Sequence, residues 1–106
     1  MTKFVLLYSG GGMPETEEEQ AAVMAAWFAW YEGMGEAVFD AGNPFAPGAK
    51  NIASDGTVSD GAAPSTGYTI LSADSIDAAV ELAKGCPILN DGGTISVTET
   101  FDLPEM

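Results

Sequence analysis

The chain has 106 residues, 46% of them hydrophobic, which is enough for one domain with its own core, and we expect residues 1–106 to form a single domain. Sixteen acidic residues stand against three lysines, and the resulting net charge of −13 argues against nucleic acid or an anionic membrane surface as a partner. The absence of histidine and arginine excludes a Ser-His-Asp triad, a histidine-ligated metal and an arginine clamp for an anion.

The first half of the chain predicts a strand, a long helix and a hairpin. Alternating apolar residues indicate a strand over Lys3–Ser9, followed by the glycines Gly10, Gly11 and Gly12. Thr16 with Glu19 forms a capping-box pattern after Pro14, and the helix is expected to run from Glu17 to Ala41. Two short strands, Ala49–Ser54 and Thr57–Asp60, flank Asp55-Gly56, the sequence of a two-residue hairpin turn.

The second half predicts a strand, a helix and a last strand. Thr66–Ser72 reads as a strand, with Tyr68 and Ile70 on one face. Asp74 is the expected cap of a second helix that continues to about Lys84 and ends at Gly85 and Pro87. The last strand is expected over Thr94–Phe101.

This order predicts an α+β fold, a ferredoxin-like βαββαβ two-layer sandwich with an extra short hairpin. Both helices would cover one face of the sheet and leave the other face bare. The first strand, however, is apolar on both faces from Phe4 to Tyr8, which indicates that the bare face is covered. A second copy is the simplest cover, so we expect a homodimer whose sheets pair into an α+β barrel.

The first strand and the single cysteine also indicate where in the cell the protein is located. The apolar run from Phe4 to Tyr8 is too short for the core of a signal peptide and for a membrane span. Cys86 is the one cysteine, so an intrachain disulfide is impossible and we expect a cytoplasmic protein. Cys86 follows a helix C-terminus with no histidine in the chain to activate it, and we expect an unreactive structural thiol.

Several features have a functional and a structural interpretation. The glycines after the first strand lack the spacing of a phosphate-binding loop and favour a plain connection. Trp27, Trp30 and Tyr31 recur at helical spacing, either as core or as the wall of a ligand site. Asp60 ends a strand, either in a turn or facing a pocket. Glu99 interrupts an apolar strand face, either as an edge residue or as a buried carboxylate.

Four stretches resemble the YCII-related family in its DGPF-type branch: KFVLLYSG, AAWFAWYEGMGEAVFDAGNPF, TVSDGAAPSTGYTILSADSIDAAVELAKGCPIL and GGTISVTETF. Together they cover nearly the whole chain. The resemblance implies a dimeric ferredoxin-like α+β barrel with a pocket between sheet and helices, built around an aspartate and often a histidine. Asp60-Gly61 matches the first half of the DGPF motif, but Ala62-Ala63 replaces Pro-Phe and the histidine is missing.

Two main hypotheses for function follow. The first is a dimer that binds a small apolar ligand, neutral or cationic. Because the family includes lyase-like dehydrochlorinases, the second is a weak lyase or hydrolase with Asp60 as general base and Tyr68 as acid or hydrogen-bond donor. A purely structural or regulatory dimer is a further alternative. No cofactor or metal signature is present. The candidate pocket residues are Tyr8, Trp27, Trp30, Tyr31, Asp60 and Tyr68.

Overall fold

A computed structural model describes residues 2–11 and 15–102. Gly12 and Pro14, which the sequence places in the first connection, lie outside the described residues. The described residues form six strands and two α-helices in the order β1, α1, β2, β3, β4, β5, α2, β6. Their bounds are Thr2–Ser9 for β1, Glu17–Met34 for α1, Val38–Asp40 for β2, Gly48–Ile52 for β3, Val58–Ala62 for β4, Gly67–Ala73 for β5, Ile76–Ala83 for α2 and Thr94–Glu99 for β6.

Four strands form an antiparallel sheet in the order β2-β5-β1-β6. With both helices between the strands in sequence, this is the ferredoxin-like α+β arrangement that the sequence predicts. The central pair, β1 and β5, aligns Val5 with Ile70 and Leu7 with Tyr68. Alternate residues on these strands are buried, among them Phe4, Leu6 and Leu71, each with no exposed surface. The core therefore lies on one face of the sheet, the face that the helices cover.

The first helix is shorter than the sequence suggests. Its N-terminus is as expected, because the Thr16 hydroxyl accepts a hydrogen bond from the Glu19 amide at 3.0 Å. The predicted end at Ala41 is wrong, because Gly35 adopts a positive φ of 56° and ends the helix after Met34. A short 3₁₀ turn follows, and residues 38–40 become edge strand β2.

The predicted hairpin exists but stands apart from the main sheet. Within residues 2–11 and 15–102, β3 pairs with β4 alone, as a separate two-stranded sheet. Its turn is one residue longer than expected, because Ala53 opposes Thr57 and the Gly56 amide donates to the Ala53 carbonyl at 2.8 Å. Gly56 has a positive φ of 91°, as the residue that closes a three-residue hairpin loop requires.

The second half of the chain follows the prediction closely. Ser75, not Asp74, caps α2, and its hydroxyl accepts from the Ala78 amide at 3.1 Å. Glu99 is exposed on β6, an edge strand of the sheet, which agrees with its interpretation as an edge residue rather than a buried carboxylate.

Candidate ligand-binding cavity

A cavity of about 510 Å³ opens between α1 and one end of the main sheet. Helix α1 supplies one wall. The other walls come from the ends of β1 and β5 and from the loop after β2. Most of the lining is apolar, and five of the lining residues are aromatic: Tyr8, Trp27, Phe28, Tyr31 and Tyr68. A volume of this size suits a small organic molecule.

The aromatic wall is built by helical spacing. Trp27 and Tyr31 are four residues apart in α1, so their rings share one side of the helix, 6.0 Å apart between centroids. Trp27 meets the Tyr8 ring of β1 edge to face at 5.3 Å. The lining residue Tyr68 stacks its ring on Phe45 with a centroid distance of 5.7 Å. These contacts restrict the orientation of the rings.

Three hydroxyl groups and one backbone carbonyl form a cluster at the cavity, which we call the hydroxyl cluster: Tyr8, Tyr31, Thr69 and the Ala41 carbonyl. The Tyr8 hydroxyl donates to Thr69 Oγ1 at 2.6 Å. Thr69 donates in turn to the Ala41 carbonyl at 2.9 Å, and Tyr31 donates to the same carbonyl at 3.2 Å. Every buried side-chain polar atom in the described part of the chain has a partner. The cluster is thus fully satisfied, as a buried polar network must be to stabilise the fold.

Burial sets the protonation of this region. It raises the pKa of Tyr8 far above that of a free phenol and also raises the pKa of Tyr31, an effect that the hydrogen bonds to Thr69 only partly oppose. Both phenols are therefore neutral near pH 7. Burial likewise raises the pKa of the Cys86 thiol to about 11. With only 2% of its surface exposed, Cys86 has the environment of an inert thiol, which supports the prediction made from its position.

The loop after β2 frames the mouth of the cavity, and it lies very close to β5. Gly42 has a positive φ of 76°, and a Cβ at this position would overlap the Tyr68 carbonyl. The Asp40 carboxylate accepts from the Gly42 amide at 2.9 Å, and the Tyr68 amide donates to the Asn43 carbonyl at 3.3 Å. These bonds fix the loop and bring the Ala41 carbonyl to the hydroxyl cluster.

The structure brings four of the six predicted pocket residues together, since Tyr8, Trp27, Tyr31 and Tyr68 all line the cavity. Trp30 does not. It lies on the other side of the helical stripe, where its indole N–H donates to the Leu82 carbonyl at 3.0 Å and joins α1 to the end of α2. Its position is that of a packing residue.

Asp60 also lies outside the cavity, which corrects the expectation that it approaches Tyr68. It is in β4 of the separate hairpin, its side chain is 84% exposed, and its carboxylate pairs with Lys50 on the facing strand. The physical reason is topological. The expectation assumed that the strand ending at Asp60 belongs to the same sheet as Tyr68, but that place in the sheet belongs to β2.

Sequence reasoning did not single out Thr69, Ala41 and Phe28. A signal for Thr69 was available, because it is the polar residue on the β5 face that also carries Leu71 and Ala73. Phe28 follows Trp27 directly and is 58% exposed, so it falls off the apolar stripe. Ala41 contributes its backbone carbonyl, and the pattern of side chains in the sequence does not predict the role of a backbone group.

Among residues 2–11 and 15–102, no group of three or more acidic or cysteine side chains is placed to hold a metal ion. Over the same residues, no helix has the length and apolar character needed to cross a lipid bilayer.

A ferredoxin-like α+β sheet with a cavity beside its helices defines the general class of this protein. The particular family follows from its sequence, since the model of the YCII-related domain matches residues 3–103, and the chain therefore belongs to the YCII-related family. No curated protein shows a significant match to the chain, and neither does any solved structure.

Proposed function

We propose that the cavity binds a small, largely apolar molecule that carries no negative charge. The observation that carries this proposal is the composition of the lining. Aromatic rings and a neutral hydroxyl cluster face the guest, and no carboxylate or lysine is among the described lining residues. Apolar walls with a few convergent polar groups are the usual form of a small-molecule site.

Binding has more support than acid–base catalysis. A general base works best with a pKa near the operating pH, whereas burial moves the pKa of Tyr8 and Tyr31 away from neutrality. A lyase or hydrolase that uses Asp60 with Tyr68 would have to bring an exposed, Lys50-paired carboxylate from the hairpin into the cavity. No contact within the described chain favours that movement, so binding is the function that we propose.

The proposal predicts that truncating an aromatic wall weakens binding of a neutral hydrophobic probe. We expect Phe28→Ala to weaken the binding of N-phenyl-1-naphthylamine about five- to tenfold, because it removes apolar contact area from the guest. Phe28 is 58% exposed, so the variant should fold normally. The measurement is a fluorescence titration of the dye.

Phe101→Ala is the control, because Phe101 is 87% exposed and does not line the cavity. Its dye affinity should match that of the parent chain. If the dye does not bind the parent, or if both variants lose affinity equally, binding in this cavity is contradicted.

We further propose that each chain forms one YCII-related domain and that two copies pair into a homodimer through the bare face of the main sheet. Val5, Leu7, Tyr68 and Ile70 share this face across β1 and β5 and are only partly buried. Phe39, held by the Lys3 ammonium 4.2 Å from its ring centroid, adds an aromatic ring that is 57% exposed. An apolar surface of this kind favours a second copy as its cover.

Light scattering tests the assembly. We expect a mass near twice the 10.9 kDa of one chain, and Phe39→Glu should shift the population toward monomer because it places a carboxylate in the apolar contact. Phe101→Glu adds the same charge outside that face and should leave the mass unchanged. A parent chain that is monomeric at micromolar concentration would overturn the dimer.

A further inference from the structure

We infer that the guest of this cavity is an organic cation, a protonated amine or quaternary ammonium compound with apolar substituents. The inference rests on the proposed function and names the ligand class for the same site. Three separate features of the described residues support it: the direction of the hydroxyl protons, the aromatic faces and the distribution of charge.

The hydroxyl cluster has no proton to offer. Tyr8 donates its proton to Thr69, Thr69 donates to the Ala41 carbonyl, and Tyr31 donates to that same carbonyl. What remains for a guest is the lone pairs of these oxygens. A cluster that accepts hydrogen bonds without donating them favours positively polarised groups, and it leaves an anionic or carbonyl oxygen beside it unsatisfied.

The aromatic walls act in the same direction. The rings of Tyr8, Trp27, Phe28 and Tyr31 belong to residues that line the cavity, and the face of each ring carries negative electrostatic potential. A cation within about 6 Å of such a ring is attracted to it, most strongly when the partner is tryptophan. A cavity with several aromatic walls is the arrangement by which proteins recognise quaternary ammonium groups.

The charges outside the cavity also favour a cation. All three lysines are engaged elsewhere: Lys3 lies over Phe39, while Lys50 and Lys84 pair with carboxylates. At the mouth, the Asp40 carboxylate is one hydrogen bond from the lining residue Gly42. With a net charge of −13, the field of the whole chain attracts cations and repels anions.

The experiment compares three probes of one shape that differ in charge. They are benzyltrimethylammonium, its neutral carbon isostere 2,2-dimethylpropylbenzene, and phenylmethanesulfonate. Each is titrated against the complex of the intact chain with N-phenyl-1-naphthylamine, so that displacement of the dye reports on the cavity itself. A salt concentration of about 0.3 M suppresses loose association with the acidic surface.

We expect the cation to displace the dye at about tenfold lower concentration than the neutral isostere, and the sulfonate not to displace it. In Phe28→Leu, which keeps an apolar side chain but loses a ring, the affinity for the cation should fall about two- to fivefold more than that for the neutral isostere. Phe101→Leu should change neither.

The two proposals fail in different ways. If the dye binds but the neutral isostere competes as well as the cation, or better, the cation inference is overturned and the binding function stands. The same holds if the sulfonate is the best competitor of the three. If the dye does not bind the parent chain, the proposed function fails, and the inference fails with it.

Discussion

Replacing Gly42 with alanine is expected to lower the free energy of unfolding by about 3 kcal/mol or more, a large loss for a domain of this size. Two effects add at this position. The backbone has a φ of 76°, which costs a residue with a Cβ roughly 1–2 kcal/mol. The new Cβ would also overlap the Tyr68 carbonyl oxygen, which is backbone of β5 and cannot turn aside as a flexible side chain does.

Gly56→Ala separates these two effects. Gly56 also has a positive φ, 91°, but nothing lies within 4 Å of the position where its Cβ would be. The free energy of unfolding of this control should therefore fall only by the cost of the positive φ, about 1–2 kcal/mol. Urea unfolding of the parent and both variants measures the difference. Equal losses for the two variants would show that the loop after β2 does not lie against β5 as described.

Gly42→Ala is expected to weaken ligand binding in the cavity as well as lower the free energy of unfolding. Gly42 lies between Asp40, whose carboxylate holds its amide, and Asn43, whose carbonyl accepts from Tyr68. Moving this loop away from β5 also moves the Ala41 carbonyl, the end point of the hydroxyl cluster. The folded fraction of the variant should accordingly bind the dye less well, whereas Gly56→Ala, in the separate hairpin, should bind it as the parent does.

The parts of the fold that the sequence predicts well are those with a strong local pattern. β1 and β5 alternate cleanly, and the five members of the α1 stripe are all partly buried in the structure: Val23, Trp27, Trp30, Tyr31 and Met34. The errors occur where local and long-range preferences compete. Residues 35–41 continue the composition of a helix, yet the backbone of Gly35 ends it and pairing with β5 turns the next residues into a strand.

The site was partly predictable for the same reason. The helical stripe of α1 identifies two of the aromatic residues that line the cavity, Trp27 and Tyr31, and the strand patterns identify Tyr8 and Tyr68. A short motif and a position at a strand end predict that Asp60 faces a pocket. Neither of these specifies which sheet the strand joins, and the separate pairing of β3 with β4 takes Asp60 away from Tyr68. The sheet that a strand joins depends on long-range contacts, and a short local motif does not predict those contacts.

The second large effect is expected from Thr69→Val, which keeps the shape of the side chain but removes its hydroxyl. Thr69 is completely buried and is the acceptor for the Tyr8 hydroxyl at 2.6 Å. Without it, the buried Tyr8 phenol loses its oxygen acceptor, and the Ala41 carbonyl keeps only the longer bond from Tyr31. We expect a loss of about 2–3 kcal/mol in the free energy of unfolding, the cost of leaving buried polar groups unpaired.

A double-mutant cycle shows whether the cost comes from the unpaired hydroxyl. Tyr8→Phe alone should cost about 1 kcal/mol, because it removes one hydrogen bond and leaves Thr69 with its own acceptor. In Tyr8→Phe/Thr69→Val both partners are gone, so the double variant should be no less stable than Thr69→Val alone. That outcome corresponds to a coupling of about 1 kcal/mol between the two residues.

As the control, Tyr8→Phe combined with Ser75→Ala, the cap of α2, should be additive within about 0.5 kcal/mol, because Ser75 shares no partner with the cluster. If the Tyr8–Thr69 cycle were equally additive in urea unfolding, the two hydroxyls would not be hydrogen-bonded, and the cavity would lack the polar group on which its ligand preference depends.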